Sequence, residues 1–183
     1  MDLVTALAVV IGVMGAIATW VAVTMGSPYV LIWAIFVGWG SFYHCGGKEA
    51  GIKSSAVANV WGVVCAAVAL IVTLALAGSL GLALAAGLCV GVSVLILILG
   101  AKVPALAAIP AGVYGYASTA ALFLLGVAGS AMASATPPVA YASVYGDGNG
   151  AVIKAAVAVA ISLIIGNVLG YISEKVVGAV VKK

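Results

Sequence analysis

Charge is what this sequence has least of. Only 6% of its 183 residues are charged, against about 25% in a soluble domain, so the chain cannot dress a water-facing surface. Arginine is absent. The four acidic residues, Asp2, Glu49, Asp147 and Glu174, all fall at the edges of apolar runs. Proton pumps, ion-coupled antiporters and voltage sensors keep charge at membrane mid-depth, and none is expected here. There is one histidine, His44, and three cysteines, Cys45, Cys65 and Cys89. Their spacing is not that of a metal site. An odd number of cysteines inside or beside apolar runs reads as small apolar packing rather than as a disulfide framework. No phosphate-binding loop and no H-E-x-x-H is present, and a lone histidine is the only candidate general base. The expectation is therefore no enzyme, no catalytic residues, no metal and no cofactor.

What fills the space is hydrocarbon. The chain is 66% hydrophobic, in continuous runs such as "LALAAGLCVGVSVLILILG" rather than the alternation of a barrel strand. Runs of about 20 apolar residues cross a hydrocarbon core of ~30 Å as helix. The expected fold is an all-α integral membrane protein, one transmembrane domain over 1–183, with six transmembrane helices at about 3–25, 28–45, 54–77, 80–100, 104–127 and 151–173. The first run has no basic leader and no cleavage site, so it reads as a retained helix. Pro104 is expected in the first turn of the fifth span, where its missing N–H matters least.

The lysines orient the chain. Lys48, Lys53, Lys102, Lys175, Lys182 and Lys183 fall on the side of the N-terminus if there are six spans, and only Lys154 falls opposite. The positive-inside rule then places both termini in the cytoplasm and the long segment 129–150 outside. In that segment Tyr141 and Tyr145 read either as headgroup anchors or as parts of a lid, and "DGNG" reads as a turn, lacking the other ligands of a calcium loop. Topology accounts for the net charge of +3, and no nucleic-acid partner is expected; the partners are the lipid bilayer and a small-molecule solute.

The halves 1–78 and 79–183 are candidates for two inverted three-helix repeats. At an offset of 74 residues Gly26 falls on Gly100, Ile35 on Ile109 and Gly38 on Gly112, though a chain rich in glycine and alanine produces such coincidences by composition as well. Inverted repeats place solute sites near the midplane, often at interrupted helices. "IFVGWGSF" and "IPAGVYGY" fit that description: glycine, Pro110 and aromatics at expected mid-membrane positions. Interruption would free backbone carbonyls; close helix packing is the alternative. Candidate lining residues are Trp39, Phe42, Asn59, Tyr114, Tyr116 and Asn167, with Ser41, Ser118 and Thr119 beside them. Asn59 and Asn167 must find hydrogen-bond partners in hydrocarbon, across helices or along a wet path. His44 is a candidate pH gate, or an interfacial ring. Glu49 is placed to pair with Lys53 four residues on. Gly87/Gly91 and Gly166/Gly170 are G-x-x-x-G packing faces.

"TWVAVTMG", the short second span ending at "GGKEAG", and "IPAGVYG" together resemble the YcdZ-like DUF1097 family of small bacterial inner-membrane proteins. The resemblance implies a multi-pass inner-membrane protein and no activity or site residues; the stretch holding His44 and Cys45 differs from it. From the residues themselves the expected function is a channel or facilitator for a small neutral or weakly polar solute such as urea, an amide or ammonia, working as a homo-oligomer. The alternatives are a non-transporting scaffold or accessory subunit and, with less in its favour, an ion channel.

Overall fold

Asp2 starts the first helix by chemistry that its lone charge makes available. Its carboxylate accepts from the Thr5 amide at 3.0 Å and from the Thr5 hydroxyl at 2.6 Å, an N-cap that satisfies otherwise orphaned donors. Those two bonds hold its pKa below the usual carboxylate value. The computed structural model describes residues 1–128, 145 and 148–181. Helix α1 is Leu3–Met25, α2 Ile32–His44, α3 Lys48–Leu80, α4 Leu82–Leu99, α5 Ile109–Ala128 and α6 Gly148–Val180. Among the described residues there is no strand.

Among the described residues, four stretches are long and apolar enough to cross a membrane: Leu3–Met25, Lys48–Leu80, Leu82–Lys102 and Gly148–Val180. Of the six expected spans, those at 28–45 and 104–127 coincide with helices, α2 and α5, that are not among these four. α2 has 13 residues, about 20 Å of helix, shorter than the expected 28–45. α3 and α6 have 33 residues each, about 50 Å, and exceed the expected 54–77 and 151–173 at both ends. Pro104 opens a single 3-10 turn, Pro104–Leu106, and α5 begins only at Ile109. The expected segment 129–150 lies outside the described residues except for Tyr145 and for Gly148–Gly150, which form the first turn of α6 rather than a free turn.

α6 is the axis of the first three helices. α1 runs antiparallel to it, with Ala6 and Val10 against Val177. α2 runs parallel to it: the Leu31 amide donates to Ser162 Oγ at 2.9 Å, and Tyr43 OH lies 2.8 Å from Ser173 Oγ. α3 plays the same part for the next two. α4 returns antiparallel along it, with the Trp61 indole donating to Leu97 O at 3.2 Å, and α5 packs across it. The turn at Gly46–Gly47 between α2 and α3 uses positive φ at both glycines, +85° and +66°, which costs glycine little. The free amide at Lys48 is then taken by Glu174 Oε2, at 2.7 Å, from the far end of α6.

Glycine and proline leave two readings open for α2 and α5, close packing or interruption. Both helices run regularly through Gly38, Gly40, Gly112 and Gly115, and Pro110 sits in the first turn of α5. The glycines bring backbones together. A Cβ on Gly38 would meet Leu163 O at 2.2 Å and one on Gly166 would meet Ile35 O at 2.0 Å, fixing α2 on α6. A Cβ on Gly62 would meet Gly112 O at 1.8 Å and one on Gly115 would meet Asn59 O at 2.0 Å, fixing α3 on α5. Without a hydrophobic drive between helices in lipid, such close approach is the main source of association. Gly170 receives the ring of Phe42 in the same way, whereas Gly87 and Gly91 on α4 face open space. Gly62→Ala and Gly166→Ala should each lower stability by about 1–3 kcal/mol, the usual cost of overpacking, while Gly87→Ala and Gly91→Ala leave it unchanged or raised. Thermal unfolding of the four variants in one detergent checks this.

Candidate functional site

Where α2, α3, α5 and α6 converge, four polar side chains meet out of reach of solvent. Asn59 comes from the second turn-and-a-half of α3 beyond its charged start, and Asn167 from α6; they are 0% and 1% exposed. Ser41 of α2 and Ser55 of α3 complete the group, both fully buried. Asn167 Nδ2 donates to Asn59 Oδ1 at 3.0 Å and to Leu163 O at 2.8 Å. Asn59 Nδ2 donates to Ala111 O of α5 at 2.8 Å and to Ser41 Oγ at 3.2 Å. Ser55 Oγ donates to Asn59 Oδ1 at 3.3 Å and lies 2.7 Å from Ser41 Oγ. One group is left over: Asn167 Oδ1, buried and without a hydrogen-bond partner.

The asparagines are there because the glycines are. Gly115 stands against the Asn59 carbonyl, and Gly166 precedes Asn167 on the face that meets Ile35. At that separation a short amide side chain bridges helices that longer residues would hold apart. In hydrocarbon each unpaired amide costs heavily, and an interhelical hydrogen bond contributes about 0.6 kcal/mol, at most about 1.7.

The other expected lining residues are placed around this cluster. Trp39 is buried, stacked on Phe36 at 5.9 Å, and its indole donates to Ser173 Oγ at 3.0 Å. Phe42 is completely buried between α2 and α6, its ring edge-on to Tyr171. Tyr116 OH lies 2.8 Å from Ser93 Oγ of α4. His44 and Tyr114 meet each other, Nδ1 to OH at 2.7 Å, at the exposed end of α2. That end also gathers Lys48, Glu49, Glu174 and Lys175: Tyr171 OH donates to Glu49 Oε1 at 3.5 Å, and Lys175 Nζ stands 5.1 Å over the Tyr171 ring. Glu49 therefore faces Tyr171 across helices. Ser118 and Thr119 are buried on α5, and the Thr119 hydroxyl donates back to Gly115 O.

Sequence reading missed Ser55 and Ser173. Both are serines in helices, and only their spacing carries a signal: Ser55 is four residues before Asn59, and Ser173 six after Asn167. Among the described residues no cluster of acidic, histidine or cysteine side chains could hold a metal. Two grooves on the outside of the bundle, about 250 Å³ between α3 and α4 and about 390 Å³ between α1, α2 and α6, are lined by residues such as Leu76 and Leu88 or Met14 and Leu169 and do not include the amide cluster.

The unequal bonding of the two amides separates their expected behaviour. Asn167→Leu removes an unsatisfied acceptor and strands no buried donor, since Asn59 Oδ1 keeps Ser55; its thermal midpoint should equal or exceed that of the wild type. Asn59→Leu strands a donor of Asn167 and should cost about 1–3 kcal/mol. Parallel melting of both variants in one detergent tests the contrast.

Curated proteins and solved structures give no match to this chain. The family described as "Protein of unknown function (DUF1097)" matches residues 8–178. That match takes in every element that builds the amide cluster, from α2 to α6, and the chain belongs to the DUF1097 family.

Proposed function

We propose that the chain is a passive facilitator for a small neutral or weakly polar solute of the urea, amide or ammonia kind, in a bacterial plasma membrane and with both termini cytoplasmic. The observation that carries this reading is the buried Ser41–Ser55–Asn59–Asn167 cluster at the junction of four helices. Buried uncharged amides and hydroxyls can replace the water around a neutral solute, and they do not attract ions as carboxylate or carbonyl rings do. Trp39, Phe42, Tyr114 and Tyr116 would narrow the way to the cluster, with His44 beside Tyr114 at the cytoplasmic mouth.

The inverted-repeat reading, with α2 and α5 completing six spans, gains a register from the helix crossings. Ile35 and Gly38 of α2 meet α6 as Gly112 and Gly115 of α5 meet α3, an offset of 77, and Gly166 and Leu163 answer Gly62 and Asn59 at an offset of 104. Gly26 and Gly100, the caps of α1 and α4, keep the offset of 74. The difference is taken up by the connection from Gly100 to Ile109, three residues longer than that from Gly26 to Ile32. In such architectures the solute site lies between the halves, and the Asn59–Asn167 bond joins the halves.

A second reading has one observation in its favour. Gly87 and Gly91 present an open small-residue face on α4, which suits contact with another membrane helix. That helix belongs to another copy in a homo-oligomeric facilitator and to a different polypeptide in an accessory subunit. Stopped-flow light scattering on proteoliposomes, with urea, acetamide, ammonia and glycerol gradients against empty liposomes, separates the two. The facilitator reading expects a solute-specific acceleration that changes in Phe42→Ala and Tyr114→Ala. Rates equal to empty liposomes for every solute, with a second polypeptide co-purifying, would establish the accessory reading instead.

A further inference from the structure

The polar protons of the central cluster are fully committed, and their direction follows from two backbone carbonyls. Ala111 O and Leu163 O can only accept, so the amide atoms facing them, at 2.8 Å each, must be the Nδ2 of Asn59 and the Nδ2 of Asn167. Turning either amide over would set oxygen against oxygen. With Asn167 fixed, its second amide proton goes to Asn59 Oδ1. With Asn59 fixed, its second goes to Ser41 Oγ. Ser55 donates to Asn59 Oδ1, so the Ser41–Ser55 contact at 2.7 Å is donated by Ser41. Every N–H and O–H in the group therefore points at another member or at the backbone. The valence left open is that of an acceptor, Asn167 Oδ1, in a side chain 1% exposed.

We infer that Asn167 Oδ1 is the binding point for an uncharged small molecule that brings an N–H or O–H donor, water included, and that the site rejects anions and acceptor-only solutes. An anion would find no free donor in the cluster and a buried carbonyl oxygen against it. A cation would find no carboxylate to offset its lost hydration, since Glu49 and Glu174 sit at the end of the bundle beside Tyr171 and the Lys48 amide. A neutral donor gains a bond and relieves an acceptor that is costly to bury unpaired. The inference deepens the facilitator reading and rests on it for the step from binding to passage, but the binding point stands on the hydrogen-bond directions alone.

The chain has three asparagines, Asn59, Asn149 and Asn167, so a protein labelled with carbon-13 at the asparagine Cγ gives a short, assignable set of side-chain carbonyl signals by solid-state NMR. The full chain in liposomes is supplied with nitrogen-15 urea, and polarisation transfer to Asn167 Cγ is read from urea nitrogen and from water protons. Urea and nitrate flux are measured on the same liposomes. The expected result is transfer to Asn167 Cγ from urea or from water, lost with the signal itself in Asn167→Leu, together with nitrate flux no faster than in empty liposomes. Absence of transfer from both sources would overturn the inference, and so would nitrate crossing as fast as urea. Transfer without flux of any solute would leave the binding point standing and remove the facilitator reading; urea flux without transfer would do the reverse.

Discussion

Backbone-to-backbone contact at glycine is the constraint on which the rest depends. At Gly38, Gly62, Gly115 and Gly166 there is no room for a single added carbon, and only that proximity lets α2 lie on α6 and α5 on α3. In lipid, helices gain nothing from hiding apolar side chains from one another. What holds this bundle is contact area at short range and the few polar bonds that short range makes available.

The amide cluster is the chief product of that proximity. A serine hydroxyl and an asparagine amide reach only a few ångströms, so Ser41, Ser55, Asn59 and Asn167 could not meet across helices spaced by leucine or isoleucine. The same economy of reach explains the satellite bonds: Ser173 serves both Trp39 and Tyr43, and Ser162 takes the amide of Leu31, the residue before α2. Small polar residues carry the specificity here, and large apolar ones such as Val4 and Trp20 of α1 face outward.

Much of this was legible in the residues, and the rest was hidden for physical reasons. The apolar runs announced the membrane helices, and the requirement that a buried amide find a partner pointed to Asn59 and Asn167. The lengths of α2 and α3 were not legible, because hydropathy reports what tolerates lipid and not where a helix begins: "KEAGIKSS" is polar enough to read as loop, yet Glu174 supplies the missing cap from 126 residues away. Glycine stayed ambiguous at Gly38 and Gly112. It relaxes a helix and it permits close approach, and only the partner helix decides between these. The tyrosines split for the same reason. Tyr116 finds Ser93 and Tyr114 finds His44, although only Gly115 separates the two.

Two of the bonds that complete the first helices come from the last one. The Leu31 amide, just before α2, waits for Ser162, and the opening amide of α3 for Glu174. As the chain leaves the ribosome and enters the bilayer, α2 and α3 therefore arrive with polar ends that nothing yet synthesised can satisfy. Water or lipid headgroups must hold them until α6 is inserted, some 130 residues after Leu31 is made. The order of synthesis thus makes the C-terminal helix the closing piece of the N-terminal half, and a chain stalled before α6 would present an open, wet face to the membrane's quality-control machinery.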